Sequence, residues 1–320
     1  MGVSTCWRRA SPASPDDLSV PGQSIILKYN VPVARYMAGG GAPPPEAVRK
    51  GMGGRAVLVI VVVAIVAFLA GLGFGALVLP RAAPVKTSLV VATNVPFPPF
   101  EDFNASSASF EGFDVDLSQL IANELGRTLV VRQFANFQTL LATVGKGGVD
   151  MAASGITASG ASGANRSKFM TFSDFYYNAN QGLLVKSTST LACADANNCT
   201  GSDLKNLQVG VQQGTTSEAW ITANGDPSTI VRTFTSVDTE LVALKAGTID
   251  AVIIDYAPAQ AFAAAAGSGL KVAGLIVTNE LYAFAVPLGD PDKILPVINQ
   301  LLAKIKANGT YDQLITKWFG

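Results

Sequence analysis

The sequence predicts an α/β fold with two lobes. Short β-rich runs alternate with helical patterns from residue 88 onward, and this alternation restarts near residue 207. The chain ends with two more helical patterns after the second unit. Alternating strands and helices are typical of parallel sheets with helices packed on their faces. We therefore expect two α/β units of about 100 residues each.

The first unit begins with "SLVVAT" and continues to "VDMAA". Its elements are a strand at 88–93, a helix at 113–126, a strand at 128–133, a helix around 137–144 and a strand at 149–153. Asp114 is the expected N-cap of the first helix, and Gly126 is expected to end it.

The second unit begins with "LQVGVQQGTTSEAW" at 207–220, which predicts a strand, a Gly-Thr turn and a helix. A helix at 239–247 and the apolar strand 249–255 follow, and the last two helices lie within 292–320. Ligands of open α/β sheets bind beyond the carboxyl ends of the strands. With two such units, the expected ligand site is the cleft between them.

Composition excludes several classes of protein. The chain is 49% hydrophobic and 14% charged, which is too apolar for a disordered protein. From residue 88 onward, 14 lysines and arginines face 20 acidic residues, a net charge of −6. An acidic body argues against a nucleic acid partner. The chain has no histidine, which excludes His-based triads and most zinc sites. We expect a site without metal or cofactor.

An apolar segment at 56–79 carries no charged residue. It is long enough to cross a bilayer core of about 30 Å as a helix. Residues 1–55 are basic and rich in Pro and Gly, which predicts a disordered cytoplasmic tail. A cleaved signal is the alternative, since "PRAAP" offers small residues after the apolar run. Translation from Met37 or Met52 is a further alternative for the tail.

The cysteines agree with an extracytoplasmic body. Cys193 and Cys199 flank the polar stretch "CADANNC", which favours a small surface disulfide over two free thiols. Because the closed loop is short, its stabilisation is at most roughly 3 kcal/mol. Cys6 is expected to be a free cytosolic thiol.

Seven motifs in order give the body a family resemblance. They are "VATNVPFPPFE", "EGFDVDLSQLIANELG", "GVDMAASGIT", "NRSKFMTFSDFYY", "VGVQQGTTSEAW", "GTIDAVIID" and "NGTYDQLITKWFG". The body resembles the family 3 extracellular solute-binding proteins, the amino-acid receptors of ABC importers. The resemblance implies the two-lobe periplasmic-binding-protein (Venus flytrap) fold, with hinge strands near 176–180 and 278–282. Lobe 1 would be 87–177 plus 283–320, and lobe 2 would be 180–278.

Arg166 is the residue on which the predicted site depends most. In the resembling family, an arginine before a segment like "FSDFYY" grips the α-carboxylate of the amino acid, and Arg166 occupies that place. A guanidinium offers a planar pair of donors that match a carboxylate. The preceding stretch 158–165, "ASGASGAN", is four residues longer than the usual spacing. The alternative is a solvated surface arginine.

Five other positions follow from the resemblance. Thr157 would offer its hydroxyl to the carboxylate, and the carbonyl of Gly155 would accept from the ammonium. Thr215 and Thr216 would give backbone N–H groups and a hydroxyl to the same carboxylate. Asp255 would pair with the ammonium. The alternatives are a strand end at 155–157, an ordinary helix cap at 215–216 and a turn-capping Asp255.

The side chain of the ligand would lie among four more residues. Phe97 and Phe137 match the aromatics that sandwich it, although Phe137 is also a candidate core residue. Asn94 stands where the family often has Asp, and Gln212 where some relatives have Lys. Since neither residue supplies a charge, we expect a neutral polar amino acid such as glutamine or asparagine.

The expected function is binding without chemistry. The chain would be a single-pass protein of the cell membrane that binds a free amino acid outside the cytoplasm, delivers it to ABC permease subunits and contacts no nucleic acid. Three alternatives stay open: a dehydratase-type enzyme on the same fold, a ligand-sensing ectodomain and an adhesin or structural ectodomain.

Overall fold

The computed structural model describes residues 86–320. The predicted tail at 1–55, the apolar segment at 56–79 and Cys6 lie outside the described residues. Within 86–320, no helix combines the length and the apolar character needed to cross a membrane.

Strands and helices alternate along the described chain, as the hydrophobic pattern predicts. The strands are β1 (Ser88–Thr93), β2 (Asp102–Asn104), β3 (Ser109–Glu111), β4 (Thr128–Gln133), β5 (Met151–Ala152), β6 (Met170–Phe172), β7 (Tyr177–Lys186), β8 (Gln208–Gln212), β9 (Ile230–Phe234), β10 (Ala251–Asp255), β11 (Leu270–Tyr282) and β12 (Ala285–Pro287). The helices are α1 (Phe113–Glu124), α2 (Phe137–Gly145), α3 (Gly160–Arg166), α4 (Thr216–Asn224), α5 (Val237–Ala246), α6 (Tyr256–Ala264), α7 (Leu295–Ala307) and α8 (Thr310–Phe319). A short 3₁₀ helix spans Gly201–Leu204.

The start of α1 differs from the prediction. Gly112 occupies the N-cap position, so the prediction that Asp114 caps the helix is wrong. Asp114 lies inside the first turn and is fully buried. Its carboxyl instead accepts hydrogen bonds from the backbone N–H of Gly155 and from the hydroxyl of Tyr176. A long-range pairing has therefore replaced the local cap.

The first sheet forms the core of what we call lobe 1. Its strand order is β4-β1-β5-β12-β6. Strand β1 pairs in parallel with β4 and β5, whereas β12 runs antiparallel to β5 and β6. The strands predicted at 88–93 and 128–133 are confirmed residue for residue.

The second sheet forms the core of what we call lobe 2. Its strand order is β11-β7-β10-β8-β9. Strand β8 pairs in parallel with β9 and β10, and β7 runs antiparallel between β10 and β11. The strand β10 is buried along its whole length, which explains its uninterrupted apolar sequence before Asp255.

Strands β7 and β11 connect the two sheets. They pair antiparallel from Leu270↔Lys186 to Tyr282↔Tyr177, with two register shifts, one between Val272 and Gly274 and one between Ile276 and Glu280. Strand β7 follows β6 of the first sheet, and β11 leads into β12 of the same sheet. Two adjacent connections of this kind are suited to a hinge between the lobes.

The last two helices return to lobe 1. Helix α7 packs against α1 through Ile298, Leu301, Leu302 and Ile305, which share one buried cluster with Leu117 and Ile121 of α1. The ring of Phe319 stacks on Tyr177 with centroids 5.0 Å apart. The C-terminus therefore lies beside the connecting strands.

Cys193 and Cys199 form a disulfide, but it does not lie on the surface as expected. Their exposed fractions are 9% and 2%, and both belong to the core of lobe 2. The loop between them pairs with β11, where the N–H of Leu275 donates to the carbonyl of Ala196 at 2.8 Å. Gly274 leaves room for the sulfurs, since a Cβ there would lie 2.2 Å from Cys199 Sγ.

Candidate functional site

The ten residues predicted to bind a ligand line one small cavity between the lobes. The cavity measures about 30 Å³, which is room for about two water molecules. A larger molecule therefore enters only when the lobes move apart or side chains rearrange. The predicted residues in its wall are Asn94, Phe97, Phe137, Gly155, Thr157, Arg166, Gln212, Thr215, Thr216 and Asp255. Ser154 also lines the cavity and was not predicted.

The strands explain why these residues meet. Asn94 directly follows β1, and Gly155 lies shortly after β5 in the same sheet. Gln212 and Asp255 are the last residues of β8 and β10 in the other sheet. The carboxyl ends of parallel strands lie at one edge of a sheet, so each lobe presents its polar side chains to the cleft.

Arg166 reaches the cavity from the end of a helix. The stretch of small residues before it forms α3, which ends at Arg166, and the side chain is 94% buried. Its Nη1 donates to the carbonyl of Thr157 at 2.8 Å, and Nη2 donates to the carbonyl of Gly214 at 3.2 Å. Burial lowers the pKa of Arg166, but Glu280 and Asp255 oppose that shift, and the guanidinium stays charged. It is a buried cation that bonds to both lobes.

The threonine hydroxyls already donate to protein atoms. Thr157 Oγ1 and Thr216 Oγ1 both donate to Glu280 Oε2, at 2.6 and 2.7 Å. Thr215 Oγ1 donates to the carbonyl of Gln212 at 2.7 Å. A hydroxyl has one proton to give. In this arrangement, the donors left for an anion are the guanidinium of Arg166 and backbone N–H groups at the start of α4.

Asp255 faces the cavity and does not cap the helix that follows it. Its side chain makes no capping bond to α6. Its Oδ1 accepts from Gln181 Nε2 at 3.0 Å and from the hydroxyl of Tyr282. Burial, reinforced by the negative charge of Glu280, raises the pKa of Asp255 to about 8. The carboxyl therefore holds a proton at neutral pH in this environment, and a nearby cation would favour its ionised form.

The sequence analysis missed Glu280 and Gln181, which lie beneath the cavity on the two connecting strands. Gln181 is fully buried, and Glu280 is 7% exposed. Gln181 Nε2 donates to Glu280 Oε1 at 2.9 Å, and Ser217 Oγ donates to Gln181 Oε1 at 2.6 Å. The signal for Glu280 was an acidic residue near the end of the strand β11, since a carboxylate needs a partner when it is buried.

Asn94 and Gln212 form a neutral polar part of the cavity wall. Gln212 Nε2 donates to Asn94 Oδ1 at 2.9 Å, and Asn94 Nδ2 donates to the carbonyl of Phe134 at 2.6 Å.

The ring of Phe137 lies over the guanidinium of Arg166, with 5.5 Å from Cζ to the ring centroid. Phe137 also packs in a buried cluster of lobe 1, so it serves both the core and the cavity.

Gly155 has a conformation and a contact that both require glycine. Its φ is +53°, in the left-handed region that side chains disfavour. A Cβ at this position would lie 2.7 Å from Phe97 Cε1. The backbone of Gly155 therefore packs closely against the ring of Phe97 in the cavity wall.

Two buried acids support the lobe 1 wall from behind. Glu101 Oε1 accepts from Ser154 Oγ at 2.7 Å, and Asp114 Oδ2 accepts from the N–H of Gly155 at 3.1 Å. Burial raises the pKa of Asp114 to about 7, and burial together with Asp114 raises the pKa of Glu101 well above its usual range. These acids act as hydrogen-bond acceptors for the wall. Among residues 86–320, no group of three or more His, Cys, Asp or Glu side chains is arranged to hold a metal ion.

Comparison with known proteins identifies the family. The model of the bacterial extracellular solute-binding proteins, family 3, matches residues 89–320. The chain belongs to this family. The family assignment confirms both the resemblance and the two-lobe α/β fold predicted from the sequence.

Relatives of this family 3 protein carry names of amino-acid binders. The L-cystine-binding protein TcyJ of Escherichia coli (strain K12) is 28% identical over 84% of this chain and 96% of its own length. The structure of an ancestral arginine-binding protein bound to glutamine has a TM-score of 0.65 and 32% identity, covering 74% of this chain and 99% of that one. The ancestral amino-acid-binding protein AncCDT-1, a precursor of cyclohexadienyl dehydratase, has a TM-score of 0.62 and 31% identity, covering 73% and 96%.

Proposed function

We propose that this protein is an extracytoplasmic receptor that binds a free amino acid and delivers it to an ABC importer. The observation that carries the proposal is the convergence of groups from both lobes on one cavity. Arg166 supplies a buried cation on one side, and Asp255 supplies a buried carboxyl on the other. The cation matches the carboxylate that every free amino acid carries, and the carboxyl of Asp255 matches the ammonium once it has lost its proton.

The proposed ligand is a neutral polar amino acid, with glutamine favoured. Asn94 and Gln212 line the cavity, and both are neutral amides that donate and accept. A relative of similar fold is an ancestral arginine-binding protein bound to glutamine, which supports an amide ligand. Arginine and cystine are the competing ligands, because the names of the relatives include both.

The proposed mechanism is closure of the cleft around the ligand. An amino acid that bonds to both lobes favours the closed form by its differential affinity for that form. The closed form is what the permease subunits would recognise. We also propose that the segment 56–79 holds the protein in the cell membrane as a single span, with the binding body outside, which raises its local concentration near the importer. No chemical step is part of this function.

Thermal unfolding of the full-length protein in mild detergent tests the proposal. Each common amino acid and L-cystine is added in turn. A ligand present at about a hundred times its dissociation constant stabilises the folded state by roughly 2.7 kcal/mol. The expected result is a midpoint raised by about 2–4 °C with glutamine. A midpoint raised only by arginine or lysine would support an amino-acid receptor and reject a neutral ligand. No shift with any amino acid would reject the receptor.

A dehydratase is the second candidate, and one observation favours it. The sequence analysis identified no acid or base for such an enzyme, but two carboxyl groups, those of Asp255 and Glu280, lie beside the cavity. Because Asp255 has a pKa of about 8, it holds a proton that it can donate at neutral pH. Turnover of prephenate-like acids by the purified protein would support this function, and stoichiometric amino-acid binding without turnover would exclude it.

A further inference from the structure

Glu280 lies on the strand that joins the lobes, directly beneath the cavity. It is 7% exposed, and the cavity wall above it includes Thr157 and Thr216. The register of β11 shifts between Ile276 and Glu280. Irregularities of this kind re-aim side chains out of the regular strand alternation. The carboxyl of Glu280 is thereby buried between the two lobes.

One oxygen of this carboxyl holds a threonine from each lobe. Thr157 follows β5 of lobe 1, and its Oγ1 lies 2.6 Å from Glu280 Oε2. Thr216 begins α4 of lobe 2, and its Oγ1 lies 2.7 Å from the same Oε2. Hydrogen bonds of this length between a hydroxyl and a carboxylate are among the strong ones in proteins.

The other oxygen ties Glu280 to the second connecting strand. Glu280 Oε1 accepts from Gln181 Nε2 at 2.9 Å. The same Nε2 lies 3.0 Å from Asp255 Oδ1 and 3.2 Å from Thr216 Oγ1. An amide nitrogen has only two protons for these three oxygens. The position of Glu280 therefore affects how well Gln181 can support Asp255.

This arrangement requires a closed cleft. Thr157 and Thr216 belong to different lobes, so they separate when the lobes move apart about the connecting strands. A single oxygen atom then cannot accept from both hydroxyls. The two bonds therefore form together only on closure, and both threonines lie in the cavity wall.

We propose that Glu280 is a positioning residue that couples closure of the cleft to ligand binding by holding Thr157 and Thr216 together. The proposal rests on the proposed function of the cleft as an amino-acid site. Because the bonds exist only in the closed form, Glu280 slows opening and release of the ligand, and it leaves the encounter with the open form unchanged. It acts through the threonines and does not need to contact the ligand.

The test is a double-mutant cycle on the full-length protein. Glu280→Gln, Thr157→Val and Thr216→Val are made singly, and each threonine variant is combined with Glu280→Gln. Association and dissociation rates are measured by stopped-flow fluorescence with L-glutamine, L-arginine and L-cystine as probes. Glu240→Gln is the matched control, because Glu240 is a fully buried acid in the core of lobe 2 that lies outside the cavity wall.

The expected result separates positioning from a general structural effect. Glu280→Gln raises the dissociation rate by roughly tenfold or more, because charged hydrogen bonds are lost, while the association rate changes by less than about twofold. When Thr157→Val or Thr216→Val is added to Glu280→Gln, the dissociation rate then rises by a much smaller factor than when the same change is made in the wild type. Glu240→Gln leaves both rates unchanged.

Several results would overturn the proposal. Additive effects of Glu280→Gln and the threonine changes would show that Glu280 does not act through them. An unchanged dissociation rate would show that closure does not depend on it. If Glu280→Gln does not fold, wild-type dissociation rates in both single threonine variants would reject the proposal equally well. If the wild type binds none of the probes, the proposed function fails first, and that result is distinct from binding that is insensitive to Glu280.

Discussion

Gln212 of lobe 2 donates a hydrogen bond to Asn94 of lobe 1, with Nε2 and Oδ1 2.9 Å apart across the cleft. The amide of Asn94 has a defined orientation, because its Nδ2 donates to the carbonyl of Phe134 at 2.6 Å. Oδ1 is therefore the atom that Asn94 presents to the cleft. A ligand that reaches this end exchanges the bond between two amides for bonds to its own side chain, which favours a group that both donates and accepts.

Asn94→Asp tests this specificity directly. The carboxylate would face the carbonyl of Phe134, lose that bond and add a negative charge to the cavity. We expect glutamine affinity to fall by roughly tenfold and arginine affinity to rise, since desolvated charges of opposite sign attract strongly. Isothermal titration calorimetry measures both affinities. Asn197→Asp adds the same charge on an exposed loop and is the control, and an unchanged preference in the Asn94 variant would contradict the assignment.

Arg166→Ala is expected to weaken amino-acid binding by well over tenfold, because no other cation lines the cavity among the described residues. Arg166→Lys should bind amino acids only slightly more tightly than Arg166→Ala, since an ammonium does not offer the paired donors of a guanidinium. Titration calorimetry gives the affinities, and Arg232→Ala removes an exposed arginine of lobe 2 as the control. Unchanged affinity in Arg166→Ala would mean that a ligand carboxylate binds elsewhere.

The affinity for an amino acid should rise with pH up to about 8. Asp255, whose pKa is raised to about 8 by burial and by Glu280, must lose its proton before it can pair with a ligand ammonium. Binding at lower pH therefore releases a proton, and the affinity falls by up to about tenfold for each pH unit below the pKa. Calorimetry in buffers of different ionisation enthalpy counts the released protons. An affinity that does not change between about pH 6 and pH 8, with no proton released, would contradict this role of Asp255.

The family resemblance supplied the site residues, and the predicted strands explain why three of them meet. Strands β1, β8 and β10 have clear apolar patterns, and Asn94, Gln212 and Asp255 stand at or directly after their carboxyl ends. The carboxyl ends of parallel strands share one edge of a sheet, so the strands place these residues on the cleft. The two-lobe fold was predictable for the same reason, since the alternation of strands and helices occurs twice.

The parts that the sequence did not predict depend on contacts between distant residues. Glu280 is aimed into the site by a register shift that leaves no local pattern. Asp114 looks like a cap, but Gly155 and Tyr176 compete successfully for its carboxyl. The stretch before Arg166 contains Gly160 and Gly163, which have weak helix propensity, yet it forms a helix that carries the arginine to the cavity. In each case tertiary contacts outweigh a local preference.

Removal of the disulfide should destabilise lobe 2 without changing ligand binding. Cys193→Ser with Cys199→Ser opens a short loop, which lowers the free energy of unfolding by about 2 kcal/mol. The sulfurs lie in the core of lobe 2, and neither residue lines the cavity. Chemical denaturation measures the stability, and titration with the best amino acid measures binding. A loss of affinity at temperatures where the variant is fully folded would contradict the prediction that the disulfide affects stability but not ligand binding.

Glu240 should make the protein less stable as the pH rises. It is fully buried, and neither carboxyl oxygen has a hydrogen-bond partner among the described residues. Burial raises the pKa of Glu240 well above its usual range. The folded state then keeps a proton that the unfolded chain loses above about pH 4, so the free energy of unfolding falls as the pH rises from there toward the folded-state pKa.

Glu240→Gln removes this titration, because an amide does not ionise in this range. We expect the variant and the wild type to have similar unfolding midpoints at about pH 4 and the variant to be more stable at about pH 8. Differential scanning calorimetry across this range gives both curves. Glu124→Gln, at a side chain that is 42% exposed, is the control and should follow the wild type. Parallel curves for Glu240→Gln and the wild type would show that Glu240 ionises equally in the folded and unfolded chains.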